Sequence, residues 1–268
     1  ADDCAVLNIG AETLVLTHDM LAEGVHFIAD ADPEDVAWKL VATNLSDLAA
    51  KGAEPLGVLL GFMLGPDDAR FADGLEEVLG HYGVPLLGGD TVSGGPPRAY
   101  GLTAIGRATH RPVPSRAGAR PGDALYVTGP LGTAMMGFEA LRDGTGADST
   151  AYRRPMARLA EGQALAPVAT AMMDVSDGLL LDAARMARAS GATIAIDGAR
   201  VPLATPERRR QDALRWGDDY ELLFTAPEGA TLPIPAHRIG TVHPREGAPL
   251  LLDGKPLTEA DGLGYEHG

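Results

Sequence analysis

Residues 35–52 read DVAWKLVATNLSDLAAKG, and the rest of the chain can be organised around this segment. Its apolar residues recur at helical spacing until Gly52 interrupts the pattern, which predicts a helix over residues 35–51. The second half of this helix carries a few polar residues among apolar ones, namely Asn44, Ser46 and Asp47. Because a carboxylate is costly to bury unless it is paired or bound to a cation, Asp47 is a candidate functional residue.

Strands and helices are expected on both sides of this segment. In the first half, the patterns predict strands at 13–17, 55–64, 86–87 and 100–106 and a second helix at 68–82. In the second half, they predict strands at 124–128, 193–196 and 220–225, helices at 132–142, 158–173 and 177–190, and an exposed loop at 143–154. The elements do not alternate strictly, which favours an α+β fold over a doubly wound sheet. Residues 107–122 lack periodicity, so we predict two domains, 1–112 and 113–268.

Charge and cysteine content narrow the class of protein. The 268 residues carry a formal net charge of −15, which disfavours nucleic acid and anionic membranes as partners. The single cysteine, Cys4, excludes an intramolecular disulfide and fits a reducing compartment. No apolar run has the length of a membrane span. We therefore expect a cytoplasmic protein that acts on small molecules.

Aspartates recur in five short polar segments. These are Asp2-Asp3, Thr17-His18-Asp19, Asn44-Leu45-Ser46-Asp47, the expected glycine turn Gly88-Gly89-Asp90-Thr91, and Asp174-Val175-Ser176-Asp177. Each has an ordinary explanation, because Asp and Ser cap helices and turns. Brought together, the same side chains would supply the carboxylate oxygens that magnesium prefers. The chain has no Gly-x-x-x-x-Gly-Lys-[Ser/Thr] loop, which excludes a P-loop kinase.

These segments resemble the motifs of thiamine-monophosphate kinases, in the family's order and over nearly the whole chain. Residues 17–27, THDMLAEGVHF, are similar to the family's Thr-Thr-Asp-x-Leu-x-Glu-Gly-Val-His-Phe. Further similar blocks lie at 2–7, 38–50, 88–91, 116–123, 174–179 and 219–224. The resemblance implies the two-domain architecture of the aminoimidazole ribonucleotide synthetase superfamily, in which N-terminal domains pair as a homodimer into a β-barrel and an α+β domain follows. It also implies transfer of phosphate from ATP to thiamine monophosphate, giving thiamine diphosphate.

The resemblance also assigns roles to individual residues. The positions that match magnesium-binding residues are Asp3, Thr17, His18, Asp19, Asp47, Asp90, Asp174 and Asp177. Those that match ATP contacts are Gly89, Asp90, Arg116 and Ser176, and those that match contacts to the thiamine substrate are His26, Asp218 and Tyr265. An isolated histidine beside apolar residues, or an aromatic residue near a terminus, is otherwise most simply a packing residue.

Three departures from the family pattern affect the site. The helix that the family has ahead of the Asp-Asp pair, near the nucleotide site, is missing from this sequence, so we expect an incomplete nucleotide pocket. His18 replaces the second threonine of the Thr-Thr-Asp motif. The segment Trp216-Gly217-Asp218-Asp219 stands where the family has Gly-Gly-Glu-Asp. Asp218 keeps the charge of the glutamate but is one methylene shorter, so we expect its contact with the substrate to differ.

The acceptor implied by the resemblance sets the mechanism. A phosphate monoester has a second pKa near 6, so it is already a charged nucleophile at neutral pH and needs no general base. We therefore assign no acid or base catalyst and expect direct in-line transfer, with Arg116 clamping a phosphate. Two alternatives stay open: a sister enzyme that makes a selenophosphate or a purine intermediate, and a module that binds nucleotide or thiamine phosphate without turnover.

Overall fold

The computed structural model describes residues 2–245 and 247–265, except for the side chain of Glu259. The first half of the chain forms a five-stranded sheet in the order β1-β2-β5-β3-β4. Its neighbours are antiparallel except for β3 and β4, which run parallel. The strands are β1 (Ala5–Ile9), β2 (Glu12–Ala22), β3 (Ala53–Leu64), β4 (Leu86–Ser93) and β5 (Ala99–Ala108).

The second half forms a seven-stranded sheet in the order β12-β11-β8-β10-β6-β9-β7. Its strands are β6 (Asp123–Val127), β7 (Ala171–Asp174), β8 (Ala192–Ile196), β9 (Leu222–Pro227), β10 (His237–Pro244), β11 (Leu250–Leu252) and β12 (Lys255–Leu257). The helices are α1 (Pro33–Ala50), α2 (Asp68–Tyr82), α3 (Thr133–Arg142), α4 (Thr150–Arg153), α5 (Leu159–Leu165), α6 (Leu179–Ala189) and α7 (Arg210–Trp216). Two sheets with helices packed against them make the fold α+β.

Helix α1 lies between the two halves. Asp32 caps its first turn by accepting a hydrogen bond from the Glu34 amide at 3.1 Å, and Pro33 supplies a backbone angle suited to a helix start. One side of the helix packs into the core of the first sheet through residues such as Leu40 and Leu45. Its last turn packs into the core of the second half, through residues that include Ala49. Nearly every side chain of α1 is therefore buried.

One face of the first sheet is uncovered in the described chain. Because side chains alternate along a strand, Thr17 and Asp19 share the face of β2 that meets α1, whereas His18 lies on the opposite face. Every residue of β4 is exposed. The exposed apolar side chains of this sheet include Leu7, Met20, Leu59, Leu87 and Val92.

Most predicted elements are confirmed, and three are wrong. Residues 88–91 form part of β4 and not a turn, because they pair in parallel with residues 59–62 of β3. The two strands lie so close together that a Cβ on Gly89 would lie 2.1 Å from the backbone oxygen of Leu60. The predicted helix over 158–173 ends at Leu165, and its last residues form β7, an edge strand held by β9. The predicted loop over 143–154 contains α4, whose Tyr152 is buried. In the last two cases tertiary contacts override the local pattern.

Within the residues that the structure describes, no helix is both long enough and apolar enough to cross a membrane.

Candidate functional site

A cavity of about 740 Å³ opens between the two halves of the chain. Its walls come from β2 and α1 in the first half, and from the segment after β7, the end of α7 and the C-terminal segment in the second half. Two kinds of side chain dominate the lining, namely carboxylates and aromatic rings. The carboxylates are Asp3, Asp19, Asp47, Asp174, Asp177 and Asp218, and the rings are Phe138, Tyr152, Trp216, Tyr220 and Tyr265.

Helix α1 contributes a polar stripe to this cavity. Lys39, Thr43 and Asp47 follow one another at intervals of four residues, so they lie on one face of the helix. All three side chains are buried, and Thr43 and Asp47 line the cavity. The stripe faces the second half of the chain because the other faces of α1 are occupied by the core. A buried polar stripe at helical spacing is a sequence signal for a site between two packed units.

Asp47 and Asp174 bring buried carboxylates to the cavity from opposite halves of the chain. The hydroxyl of Thr17 donates to Asp47, and the hydroxyl of Ser46 donates to Asp174 at 2.5 Å. Burial raises the pKa of Asp47 well above its usual range, and the charges of Asp174 and Asp19 raise it further. Burial also raises the pKa of Asp174, although the hydrogen bond from Ser46 acts to lower it. Ionised, these groups repel each other, so the site favours a bound cation.

Asp19 and Asp177 are positioned by contacts with neighbouring side chains. The backbone amide of Asp19 donates to Asn44 Oδ1 at 2.9 Å, which ties β2 to α1. Asp177 pairs with Arg185, which also lies 3.0 Å from the buried Asp182. Because Arg185 lines the cavity, it places a guanidinium among the carboxylates.

Asp3 belongs to a charged network at the edge of the cavity. Arg116 pairs with Asp3 and lies 3.5 Å from Asp2, while the buried Lys51 contacts Asp2 at 2.5 Å. Asp3 Oδ2 is buried, lies 3.6 Å from Lys51 Nζ, and accepts no hydrogen bond within the described chain. Arg116 therefore neutralises Asp3. The Arg116 side chain itself is not part of the cavity lining.

The three residues matched to substrate contacts all line the cavity. His26 Nδ1 accepts from the Ala22 amide at 3.0 Å, which fixes the ring. Asp218 has a left-handed backbone (φ 56°), and its carboxylate meets Lys39 Nζ at 2.7 Å and the Tyr220 hydroxyl at 2.9 Å. The backbone amide of Tyr265 donates to the backbone oxygen of Asp177 at 2.9 Å, which anchors Tyr265 beside Asp177.

The structure does not bring every matched residue to the cavity. Thr17 lies behind Asp47 as its hydrogen-bond donor. His18 lies on the uncovered face of the first sheet, where its Nδ1 is 2.9 Å from the Thr103 hydroxyl. Gly89 and Asp90 lie in the exposed edge strand β4. Within one chain, these last three residues are separated from the carboxylates of the cavity.

The donor set suits a hard divalent cation. Among the described residues, no group of three or more Asp, Glu, His or Cys side chains is arranged as a metal site. Magnesium usually takes only one or two carboxylates and completes its shell with water and phosphate oxygens, so a preformed protein cage is not required. The mutual repulsion of Asp47, Asp174 and Asp19, together with the buried Oδ2 of Asp3, fits the binding of such an ion.

The lining residues that sequence reasoning missed include Arg185 and three aromatic residues. Arg185 lies eight residues after Asp177, in the second turn of α6. Phe138, Tyr152 and Trp216 come from three separate helices and line the cavity together. No spacing in the sequence relates these three rings, because only the packing of the helices brings them together.

Comparison with known families identifies the class of protein. Residues 1–108 match the N-terminal domain of AIR synthase related proteins, and residues 120–246 match the C-terminal domain of the same group. These two domains define a member of the AIR synthase related class. Hydrogenase maturation protein HypE, in a structure with ATP, shares the fold at 22% identity with a TM-score of 0.73.

Closer relatives give the particular family. The thiamine-monophosphate kinase of Escherichia coli K12 is 39% identical over 99% of this chain and 90% of that protein. The one from Caulobacter vibrioides is 37% identical over 100% of this chain and 84% of that protein. The structure of AaThiL complexed with AMPPCP and TMP is 31% identical with a TM-score of 0.87, and the match covers 96% of this chain and 88% of that one. The chain belongs to the thiamine-monophosphate kinase family of phosphotransferases.

Proposed function

We propose that this protein transfers the γ-phosphoryl group of ATP directly to thiamine monophosphate and releases thiamine diphosphate and ADP. The observation that carries this proposal is the cavity between the two halves, which is lined by carboxylates from both halves and by aromatic rings. The carboxylates suit a phosphate bound with magnesium, and the aromatic rings suit a cationic heteroaromatic ring. Relatives named as thiamine-monophosphate kinases, and a structure that contains AMPPCP and TMP, support the same choice.

The chemistry needs positioning more than proton transfer. The acceptor phosphate is already charged near pH 7, and the barrier is the approach of two anions. Asp3, Asp19, Asp47, Asp174 and Asp177 would hold magnesium, which neutralises phosphate charge when bound. Ser46 and Thr17 orient the two buried carboxylates through their hydrogen bonds. We assign no general base and no phosphorylated enzyme intermediate.

Nucleotide contacts are proposed for Ser176 and for Arg185, which both line the cavity. A guanidinium forms short, charge-assisted hydrogen bonds to phosphate oxygens. Arg116 stays a proposed phosphate contact, although it pairs with Asp3 in this structure. The boundary between residues 112 and 113 also remains a prediction.

We further propose that two copies pair through the uncovered face of the first sheet. A large apolar surface is unusual on a monomer, and Met20, Leu59, Leu87 and Val92 are all at least 40% exposed. The family resemblance implies that such pairing forms a β-barrel. Gly89, Asp90 and His18 lie on this sheet, so their proposed roles in nucleotide and metal binding depend on the paired state.

A turnover assay tests the function. The protein would be incubated with ATP, magnesium and thiamine monophosphate, and the product detected by mass spectrometry. Asp47→Asn removes the buried carboxylate, and Asp73→Asn is a matched control on the exposed face of α2. We expect thiamine diphosphate from the wild type and the control, and a loss of at least about 100-fold with Asp47→Asn. Turnover of ATP only with a different acceptor would assign the protein to a sister activity, and nucleotide binding without turnover would indicate a binding module.

A further inference from the structure

Three aromatic side chains from three helices form a continuous wall that lines the cavity. Phe138 comes from α3, Tyr152 from α4, and Trp216 is the last residue of α7. The ring centre of Phe138 lies 5.1 Å from that of Trp216 and 5.3 Å from that of Tyr152. We call these three residues the aromatic wall.

Backbone contacts fix Trp216 close to the residues proposed for phosphate transfer. Gly217 packs so closely on the neighbouring loop that a Cβ at position 217 would lie 2.3 Å from the backbone oxygen of Ser176. No other residue type fits this approach, so the end of α7 is held against the segment that carries Ser176 and Asp177. Tyr265 is anchored to the same segment through its amide. Trp216 and Tyr265 therefore both line the cavity next to the segment that carries Ser176 and Asp177.

The charges beside the aromatic wall also favour recognition of a ligand through the faces of the rings. The nearby carboxylate, Asp218, is paired with the buried Lys39, whose Nζ also lies 4.0 Å from the centre of the Tyr152 ring. Asp218 is thus neutralised within the protein. An aromatic cation bound here would gain from the faces of the wall and not from an unpaired carboxylate. The Trp216 indole makes no hydrogen bond within the described chain, which leaves its N–H group for a ligand.

From this geometry we infer that Trp216 is a specificity-determining residue that contacts the cationic aromatic part of the acceptor. The inference rests on the proposed function, because it takes a thiamine phosphate as the acceptor. The Trp216 ring extends the wall from Phe138 to the end of α7, beside the loop that carries Ser176.

Intrinsic fluorescence gives a direct test, because the chain has two tryptophans. Trp38 is buried in the first core, where its Nε1 donates to the Pro155 oxygen at 2.9 Å, and it does not line the cavity. Thiamine monophosphate would be titrated into the wild type and into Trp216→Phe, with excitation where the ligand does not absorb. We expect saturable quenching in the wild type and none in Trp216→Phe, which retains Trp38. An equal response in both proteins would overturn the inference.

Kinetics separate a contact with the acceptor from a structural role. Trp216→Ala should raise KM for thiamine monophosphate about tenfold and leave KM for ATP and kcat nearly unchanged, whereas Trp216→Phe should stay within about threefold of wild type. An unchanged KM in Trp216→Ala, or equal losses in kcat and both KM values, would refute the assignment. Wild-type protein that makes no thiamine diphosphate would refute the proposed function instead. Even then, quenching by thiamine monophosphate that requires Trp216 would support the contact.

Discussion

The ion pair between Lys39 and Asp218 connects the two halves of the chain across the cavity, and replacing Lys39 by methionine tests its importance. Lys39 Nζ lies 2.7 Å from Asp218 Oδ2 and donates to the His26 oxygen at 3.0 Å. The Lys39 side chain is only 3% exposed, whereas that of Asp218 is 28% exposed. Methionine has a similar length, so the main change is the loss of the charge and of its donors.

The expected destabilisation follows from these contacts. Removing one partner of a buried ion pair costs about 3–5 kcal/mol, because the other charge is left unpaired. Asp218 is partly exposed and can recover some hydration, so we expect about 3 kcal/mol for Lys39→Met. Asp218→Asn should cost about 2 kcal/mol, since Lys39 keeps the His26 oxygen and the Tyr152 ring. The double variant should cost about 3 kcal/mol, which gives a coupling energy of about 2 kcal/mol.

Urea unfolding of the four proteins measures this coupling through the linear dependence of the free energy of unfolding on urea. The matched control is the Arg238–Glu228 pair, which has a similar N–O distance of 2.6 Å but side chains that are 39% and 57% exposed. Its coupling should stay below about 1 kcal/mol, as is usual for exposed pairs. If the Lys39–Asp218 coupling is no larger than that of the control, burial does not strengthen the pair and the reasoning fails.

Three other predictions concern Arg185 in the cavity, the buried Asp219 and the uncovered sheet. Arg185→Ala should raise KM for ATP about tenfold to 100-fold, because charge-assisted contacts with the phosphates are lost. Arg188 is exposed on the same helix, so Arg188→Ala should leave KM for ATP unchanged. Equal KM values for the two variants would exclude the proposed contact. Asp219 accepts from the Gly132 amide at 2.9 Å, and burial raises its pKa to about 7, so its native form binds a proton that the unfolded chain lacks above pH 4. The free energy of unfolding should therefore fall by up to about 1.4 kcal/mol per pH unit between pH 4 and 7, and urea titrations of Asp219→Asn should lack this contribution; identical slopes would contradict it. Leu59→Glu on the uncovered sheet should convert the dimer to a monomer in analytical ultracentrifugation, whereas Ala72→Glu on α2 should not. A wild-type protein that sediments as a monomer would refute the pairing.

Local patterns were sufficient for elements whose own residues specify them. Helix α2 runs from Asp68 to Tyr82, as its apolar spacing and the following Gly83 predict. Patterns failed where contacts from distant segments decide the conformation. Met172 and Met173 lie in β7 because β9 supplies the pairing partner, although their surroundings resemble a helix.

The sequence alone determined the family and most of the aspartates that line the cavity. Motifs such as Asn44-Leu45-Ser46-Asp47 and Asp174-Val175-Ser176-Asp177 are local strings, and they can be recognised without knowledge of their positions in space. Their chemistry follows from residue type, because carboxylate oxygens are the natural ligands of magnesium. This is why Asp19, Asp47, Asp174 and Asp177 were all expected at the site that they line.

Only the tertiary structure decided what surrounds those carboxylates. The packing of α3, α4 and α7 gathers Phe138, Tyr152 and Trp216 into one wall, and the packing of α1 against the second half pairs Lys39 with Asp218. Strand alternation likewise separates His18 from Thr17 and Asp19, although all three share one motif. The physical reason is that these contacts join residues on separate helices and loops, between 14 and 179 positions apart, or depend on which face of a strand is covered. Neither property is encoded in a local spacing.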